Sequence, residues 1–264
     1  MRRNLTAVLF FLVSLLMLSC TKMDQLFNNG DPVTEQRSIG QYFDAISIYN
    51  NVNVHLVRDS HPRMELTCPE NLIENIITEV NGSTLVIKNE NTHNWIRSYD
   101  YSIDLTIYYD SLSRIQYASI GTLTCADSIY GKTSKQLDSI TQANDTIYSH
   151  PTSFILSIIE GSGDIDLTFK CNIVKSIFSN GTSKVTLRGE AGYAEHYIRS
   201  YGTIRAETLN TNIVKVDSKS TNDIYVWARG SLFANLSSIG NLYYKGNPWI
   251  AQSCTGDGRV IKLE

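Results

Sequence analysis

Glu160-Gly161-Ser162-Gly163-Asp164-Ile165-Asp166-Leu167-Thr168 opens the segment that decides the fold, because its pattern returns four more times downstream. Sliding the sequence along itself gives a repeat of about 20 residues beginning near Phe154. Gly163, Ser183, Gly202, Asn222 and Gly240 share one column, at spacings of 20, 19, 20 and 18 residues. Two residues later come Ile165, Val185, Ile204, Ile224 and Leu242, and two after those Leu167, Leu187, Ala206, Val226 and Tyr244. Between them lie Asp166, Thr186, Arg205, Tyr225 and Tyr243, followed by Thr168, Arg188, Glu207, Trp227 and Lys245.

This pattern is a turn followed by a strand. Gly, Asn and Ser tolerate tight or positive-φ corners. Alternate side chains of a strand point to opposite faces, so one face is aliphatic and the other mixed polar and aromatic. A single unit cannot bury its aliphatic face, whereas units stacked about 4.8 Å apart can. The expectation is an all-β chain forming a right-handed parallel β-helix, a β-solenoid, with an irregular N-terminal β portion. An antiparallel meander or sandwich with strands at similar intervals is the alternative. The constant phase of turn, inward and outward columns favours the solenoid, since a meander reverses direction and has no reason to keep it.

Upstream, Ile120-Gly121-Thr122-Leu123 reads as an earlier unit, and Thr124 to His150 breaks phase as an inserted or decorated loop. Alternating runs such as Ala45 to Tyr49, Val52 to Val57, Leu85 to Ile87 and Ile103 to Ile107 read as half-buried strands. Asn81-Gly82 between two such runs is a hairpin signal. Asn71 to Ile77 allows a short helical turn.

The N-terminus carries an address. Arg2-Arg3 precede Leu5 to Leu18, 14 residues that are apolar apart from Thr6 and Ser14. Spanning a bilayer takes about 20 apolar residues, so the stretch matches a secretory signal peptide, residues 1–19. Leu16-Met17-Leu18-Ser19-Cys20 resembles the lipobox of bacterial lipoproteins, with Met17 a departure from the commoner Leu. Cys20 is then the lipidation site and membrane anchor, residues 20–38 a polar tether, and residues 39–264 the folded domain. Removing Arg2 and Arg3 moves the net charge from −3 to −5. With no basic run beyond the leader, nucleic acid is excluded as a partner.

Cys68, Cys125, Cys171 and Cys254 lack metal-ligand spacing, and buried free thiols are the expectation. The five histidines (55, 61, 93, 150 and 196) show no paired ligand pattern, and no nucleophile elbow, phosphate loop or dinucleotide fingerprint occurs. No catalytic residue, metal or cofactor is therefore assigned. Asp164 and Asp166, two apart on a strand, are the only pair to weigh for a carbohydrate-active enzyme, and a turn acid beside a solvated strand residue explains them. Tyr225, Trp227 and Tyr243 fall in outward columns of neighbouring units and form a candidate surface for a glycan or protein ligand. Ordinary cross-strand packing is the plainer reading of them. Trp249 is expected to cover the open end of the stack. Asp110-Ser111-Leu112, Asp127-Ser128-Ile129, Asp138-Ser139-Ile140 and Asp145-Thr146-Ile147 resemble the Asp-(Ser/Thr)-aliphatic O-glycosylation acceptor of Bacteroidetes, which makes Ser111, Ser128, Ser139 and Thr146 candidate acceptors.

Taken in order, several blocks resemble the putative auto-transporter adhesin, head GIN domain family of Bacteroidetes-type bacteria. They are Phe43 to Val57, Glu70 to Ile73 with Val80 to Ile87, Glu160 to Ile165, and Tyr244 to Ile250 with Gly256 to Val260. The resemblance runs from about Ile39 to Glu264 and implies a right-handed β-helix, lipid-anchored or secreted, with no catalytic residues to transfer. The expected function is a non-enzymatic outer-membrane lipoprotein of the cell envelope presenting a binding surface, an adhesin for glycan or protein. A structural envelope lipoprotein with a bacterial protein partner is the alternative, and an enzyme on the same scaffold is a third.

Overall fold

A computed structural model of the chain describes residues 29–92, 101–133 and 152–264. These hold eighteen strands and one helical turn, and hydrogen bonds join all the strands in one sheet. The protein is all-β.

The first part mixes strand directions. β1 (Pro32–Ser38) runs antiparallel to β4 (Arg63–Pro69). Residues 32–38 were expected in the tether on composition, but their alternate side chains find partners on β4, so paired structure begins at Pro32. β2 (Ala45–Asn50) and β3 (Asn53–Arg58) follow one another around a corner. A single helical turn, α1 (Glu70–Ile73), leads from β4 to β5 (Ile76–Asn81), which forms an antiparallel hairpin with β6 (Thr84–Asn89). Gly82, at φ +63°, and Ser83 turn that hairpin, while Asn81 is the last residue of β5 and pairs with Thr84, so the turn falls one residue later than the Asn-Gly signal places it. β7 (Asp104–Tyr109), β8 (Arg114–Ser119), β9 (Leu123–Cys125) and the two-residue β10 (Lys132–Thr133) complete this part. β2 pairs in parallel with both β6 and β8, and β3 with β7 and β9.

The second part is uniform. β11 (Thr152–Gly161), β12 (Ile165–Phe178), β13 (Lys184–Ile198), β14 (Thr203–Ser218) and β15 (Ile224–Leu236) stack in parallel. β16 (Leu242–Lys245), β17 (Trp249–Cys254) and β18 (Val260–Lys262) continue the stack in the same sense. β8 joins β11, and β9 joins β12, so the two parts are one ladder. The register is the one the repeat predicts: Ile165 meets Val185, then Ile204, Ile224 and Leu242. Each of these is at most 1% exposed, and burying such a side chain contributes about 1.5–3 kcal/mol. Leu167, Leu187, Ala206 and Val226 are buried as the next column requires, whereas Tyr244 is only half-buried on the last complete level.

The strands of 13 to 16 residues bend midway, where the pairing slips between Thr186 and Arg188 and between Ala206 and Asn210. These slips absorb the unequal repeat lengths without disturbing the buried columns. At the other corner, serine side chains organise the turn. Ser119, Ser200 and Ser218 each accept a hydrogen bond from the backbone N–H two residues on, at 3.0, 3.3 and 3.1 Å. Asp223 and Asn241 accept from the backbone N–H of the next level, at 2.9 and 3.0 Å.

The glycine column has a different cause from the one its composition suggests. Positive φ belongs to Gly161 and Gly181, two residues before the column, and Gly163 has none. Gly163 is required by close approach: a Cβ there would meet the Gly121 carbonyl and the Tyr117 hydroxyl. The levels stack too tightly at the corner for a side chain.

Candidate functional site

The outward columns of β14, β15 and β16 bring the three expected aromatics together. Tyr225 and Tyr243 are register partners on adjacent strands, and their rings lie nearly parallel, 11° apart with centroids at 5.0 Å. Arg205, the partner of Tyr225 on the other side, places its guanidinium 4.6 Å from the Tyr225 centroid. Trp227 lies two residues along the same face, and its partner Lys245 sits 4.2 Å from the indole centroid. All three rings are half-buried. Each cation over a ring contributes about 0.5–1 kcal/mol at such exposure.

This geometry follows from strand alternation. The aliphatic residues between these rings point inward, the rings project from the outer surface, and parallel pairing sets Arg205, Tyr225 and Tyr243 one above the next. The two cations were not singled out from the sequence. Their signal was available, since Arg205 and Lys245 occupy the same two outward columns as the rings.

Other candidates separate. Asp166 is bound by Arg188 through two hydrogen bonds of 2.9 and 2.8 Å, so it does not stand free beside Asp164 as a second carboxyl. No group of three or more metal-ligating side chains occurs among the described residues. On the opposite face, Glu195 lies between Lys175 and Lys215 at 2.9 and 3.0 Å. Burial works to raise its pKa, but the hydrogen bonds from the two lysines outweigh it and hold the carboxyl below its usual range.

The four cysteines among the described residues are free, but the expectation that all are buried fails. Cys254 is exposed and Cys125 half-buried, because β17 and the short β9 leave them at the margins of the core. Burial pushes the Cys68 thiol up to about 11 and the Cys171 thiol up to about 12, away from thiolate chemistry. Trp249 is 64% exposed and packs edge-on against Phe233 at 5.8 Å. It points outward from β17 and therefore does not cover the end of the stack.

Of the candidate acceptors, Ser111 and Ser128 lie half-buried in loops. The aliphatic residue after each, Leu112 and Ile129, is in the core at 1% and 0% exposure. Ser139 and Thr146 lie outside the described residues, as do Cys20 and the leader. No helix among the described residues is long and apolar enough to cross a membrane.

A stack of parallel strands with an aliphatic core, carrying an aromatic and cationic outer face, defines the class: an all-β domain. The chain belongs to the putative auto-transporter adhesin, head GIN domain family, whose model matches residues 42–248. No curated protein matches it in sequence. The crystal structure of a putative adhesin from Bacteroides fragilis is similar with a TM-score of 0.74 and 18% identity, over 90% of this chain and all of that one. A putative adhesin from Parabacteroides distasonis gives 0.59 and 17%, over 90% and 99%. A putative lipid binding protein from the same species gives 0.60 and 19%, also over 90% and 99%. At these identities the likeness concerns the fold.

Proposed function

We propose that the chain is a non-enzymatic envelope lipoprotein, held at the outer membrane through a lipid on Cys20, that displays a ligand-binding face on a right-handed parallel β-helix. Tyr225 flat on Tyr243, with Trp227 beside them and Arg205 and Lys245 over the rings, is the observation that carries the binding reading. Stacked aromatics whose edges face outward, with cations between them, suit the hydroxyls of a sugar or the aromatic and acidic groups of a protein. The unbroken run of parallel pairings from β11 to β18 supports the β-helix. The family and the names of the similar structures support adhesion. Glycans on Ser111, Ser128, Ser139 and Thr146 would then solvate the flank of the domain.

The test is binding of the full chain to immobilised glycans, matrix proteins and envelope proteins, with and without a Trp227→Ala, Tyr243→Ala double substitution. The expected result is a ligand lost at least tenfold in the double variant. Binding that ignores the substitution contradicts the reading, and a ligand from the bacterial envelope itself identifies the structural role instead of adhesion. Fatty-acid labelling that persists in Cys20→Ala would contradict the anchor.

A further inference from the structure

A second feature lies at the corner where β12 to β15 bend, on residues the aromatic face does not use. Lys170, Glu190 and Asn210 are register partners on three successive levels; on the fourth, Trp227 is the partner of Asn210, and Arg229, two residues further along β15, borders the groove. Tyr130 stands at the near end, and the groove they border holds about 480 Å³, within the size range of ligand sites. At about 4.8 Å per level, the wall from Lys170 to Arg229 runs for about 14 Å. The groove exists because the residues at the bend are small: Ala191 and Gly192 form part of its lining.

The chemistry of the wall is specific. An ammonium, a carboxylate and an amide follow one another from level to level, and a guanidinium stands beside them, so the groove offers both donors and acceptors. Among the described residues, neither Lys170, Glu190 nor Arg229 makes an ion pair, unlike Arg188, Arg199 and Arg205 nearby. The Asn210 Oδ1 is closed off from solvent with no hydrogen-bond partner. Tyr130 is 42% exposed and its ring is held by the Arg58 guanidinium 4.4 Å from the centroid.

Three ligand classes fit poorly. An extended peptide needs a free strand edge, and β13 and β14 are paired on both sides. A polyanion meets Glu190 midway along the wall, and a lipid chain needs apolar walls that these side chains do not supply. Hydroxyls, which both donate and accept, match every group on the wall, and a sugar ring also matches the Tyr130 face. We propose that this corner groove binds a short, uncharged or zwitterionic oligosaccharide laid along the stacking direction. The proposal shares with the preceding reading only the idea of a displayed ligand; its residues differ, so the two fail separately.

The experiment uses the full chain on an array of chitin-, mannan- and cellulose-derived oligosaccharides, with zwitterionic oligosaccharides and heparin fragments beside them. Binding to a neutral or zwitterionic probe is expected, reduced at least tenfold in Glu190→Ala and in Arg229→Ala. Arg188→Ala, on the outer face away from the groove, keeps it within twofold. Both groove side chains are exposed, and an unchanged melting temperature in each variant shows that the fold is intact. Binding to heparin alone, binding indifferent to the groove variants, or no binding to any probe overturns the proposal. Loss confined to Trp227→Ala also overturns it, and moves the sugar to the aromatic face.

Discussion

Residues 165–262 and residues 32–109 bury their aliphatic side chains by different routes. In the first, every strand pairs in parallel with segments about twenty residues away, and the inward columns hold aliphatic side chains from level to level. In the second, antiparallel pairs (β1 with β4, β4 with β7, β5 with β6) interleave with parallel ones, and neighbouring partners lie 3 to 51 residues apart. The stack therefore imposes its demands through contact between levels, whereas the irregular part imposes them locally, through turn conformation. Two glycines sharpen the contrast: Gly163, in the stack, is needed for space, whereas Gly82, in the hairpin, is needed only for φ.

The largest expected effect breaks the stack at that point. Gly163→Ala drives a methyl into the Gly121 carbonyl and the Tyr117 hydroxyl, and the backbone of two levels must separate. A loss above about 4 kcal/mol is expected in denaturant unfolding. Gly82→Ala, in the hairpin, has open space around the new methyl and suffers only its φ of +63°. That costs about 1–2 kcal/mol. Similar losses at the two positions would erase the distinction between the regions.

The next effect reads the interior of the stack by pH. His196 is 1% exposed on β13, and neither ring nitrogen has a hydrogen-bond partner. Burial pushes its pKa down from 6.5 to about 4, despite the opposing charge of Glu195. The unfolded chain thus takes up a proton between about pH 6.5 and pH 4 that the folded chain refuses. Stability falls as the pH drops through this window, by about 3 kcal/mol once it is crossed. His196→Leu removes that loss and, by deleting two unpartnered nitrogens, also raises stability at pH 7. Equal acid sensitivity in the variant and the parent would show that His196 is not neutral in the core.

The smallest effect concerns the outer face. Arg188 and Asp166 form a bidentate pair, but their side chains are 47% and 46% exposed. Arg188→Ala is expected to change stability by less than about 1 kcal/mol. Thermal unfolding measures this, and a larger loss would mean that outward columns hold the levels together as the inward ones do.

The sequence made the second region readable because the stack enforces repetition: Ile165, Val185, Ile204, Ile224 and Leu242 must all be aliphatic at one spacing. The hairpin at Asn81-Gly82 was readable, to within one residue, because its turn is local. β1 was not, since Pro32 to Ser38 is polar on an edge strand and its partners on β4 lie 25 to 37 residues away. Tyr225, Trp227 and Tyr243 were placed by alternation alone, but Arg205 and Lys245 gain their role only from the neighbouring level. The groove was invisible for a further reason: it forms at a bend where the pairing slips, and Lys170, Glu190, Asn210 and Arg229 have no common residue type to mark them. Trp249 misled because a large aromatic near the last level suggests a cover, while strand parity turns it outward.

Paired cysteines placed in a background without the native ones test the parallel register directly. In parallel strands the difference between partner numbers is constant, so Lys184→Cys with Thr203→Cys and Thr186→Cys with Arg205→Cys both place the thiols within disulfide reach. The account predicts that both pairs oxidise to completion, read by mass spectrometry of the cross-linked peptides. Closure of only the Thr186–Arg205 pair, together with closure of a Lys184→Cys, Glu207→Cys pair, is the signature of antiparallel strands and would contradict it.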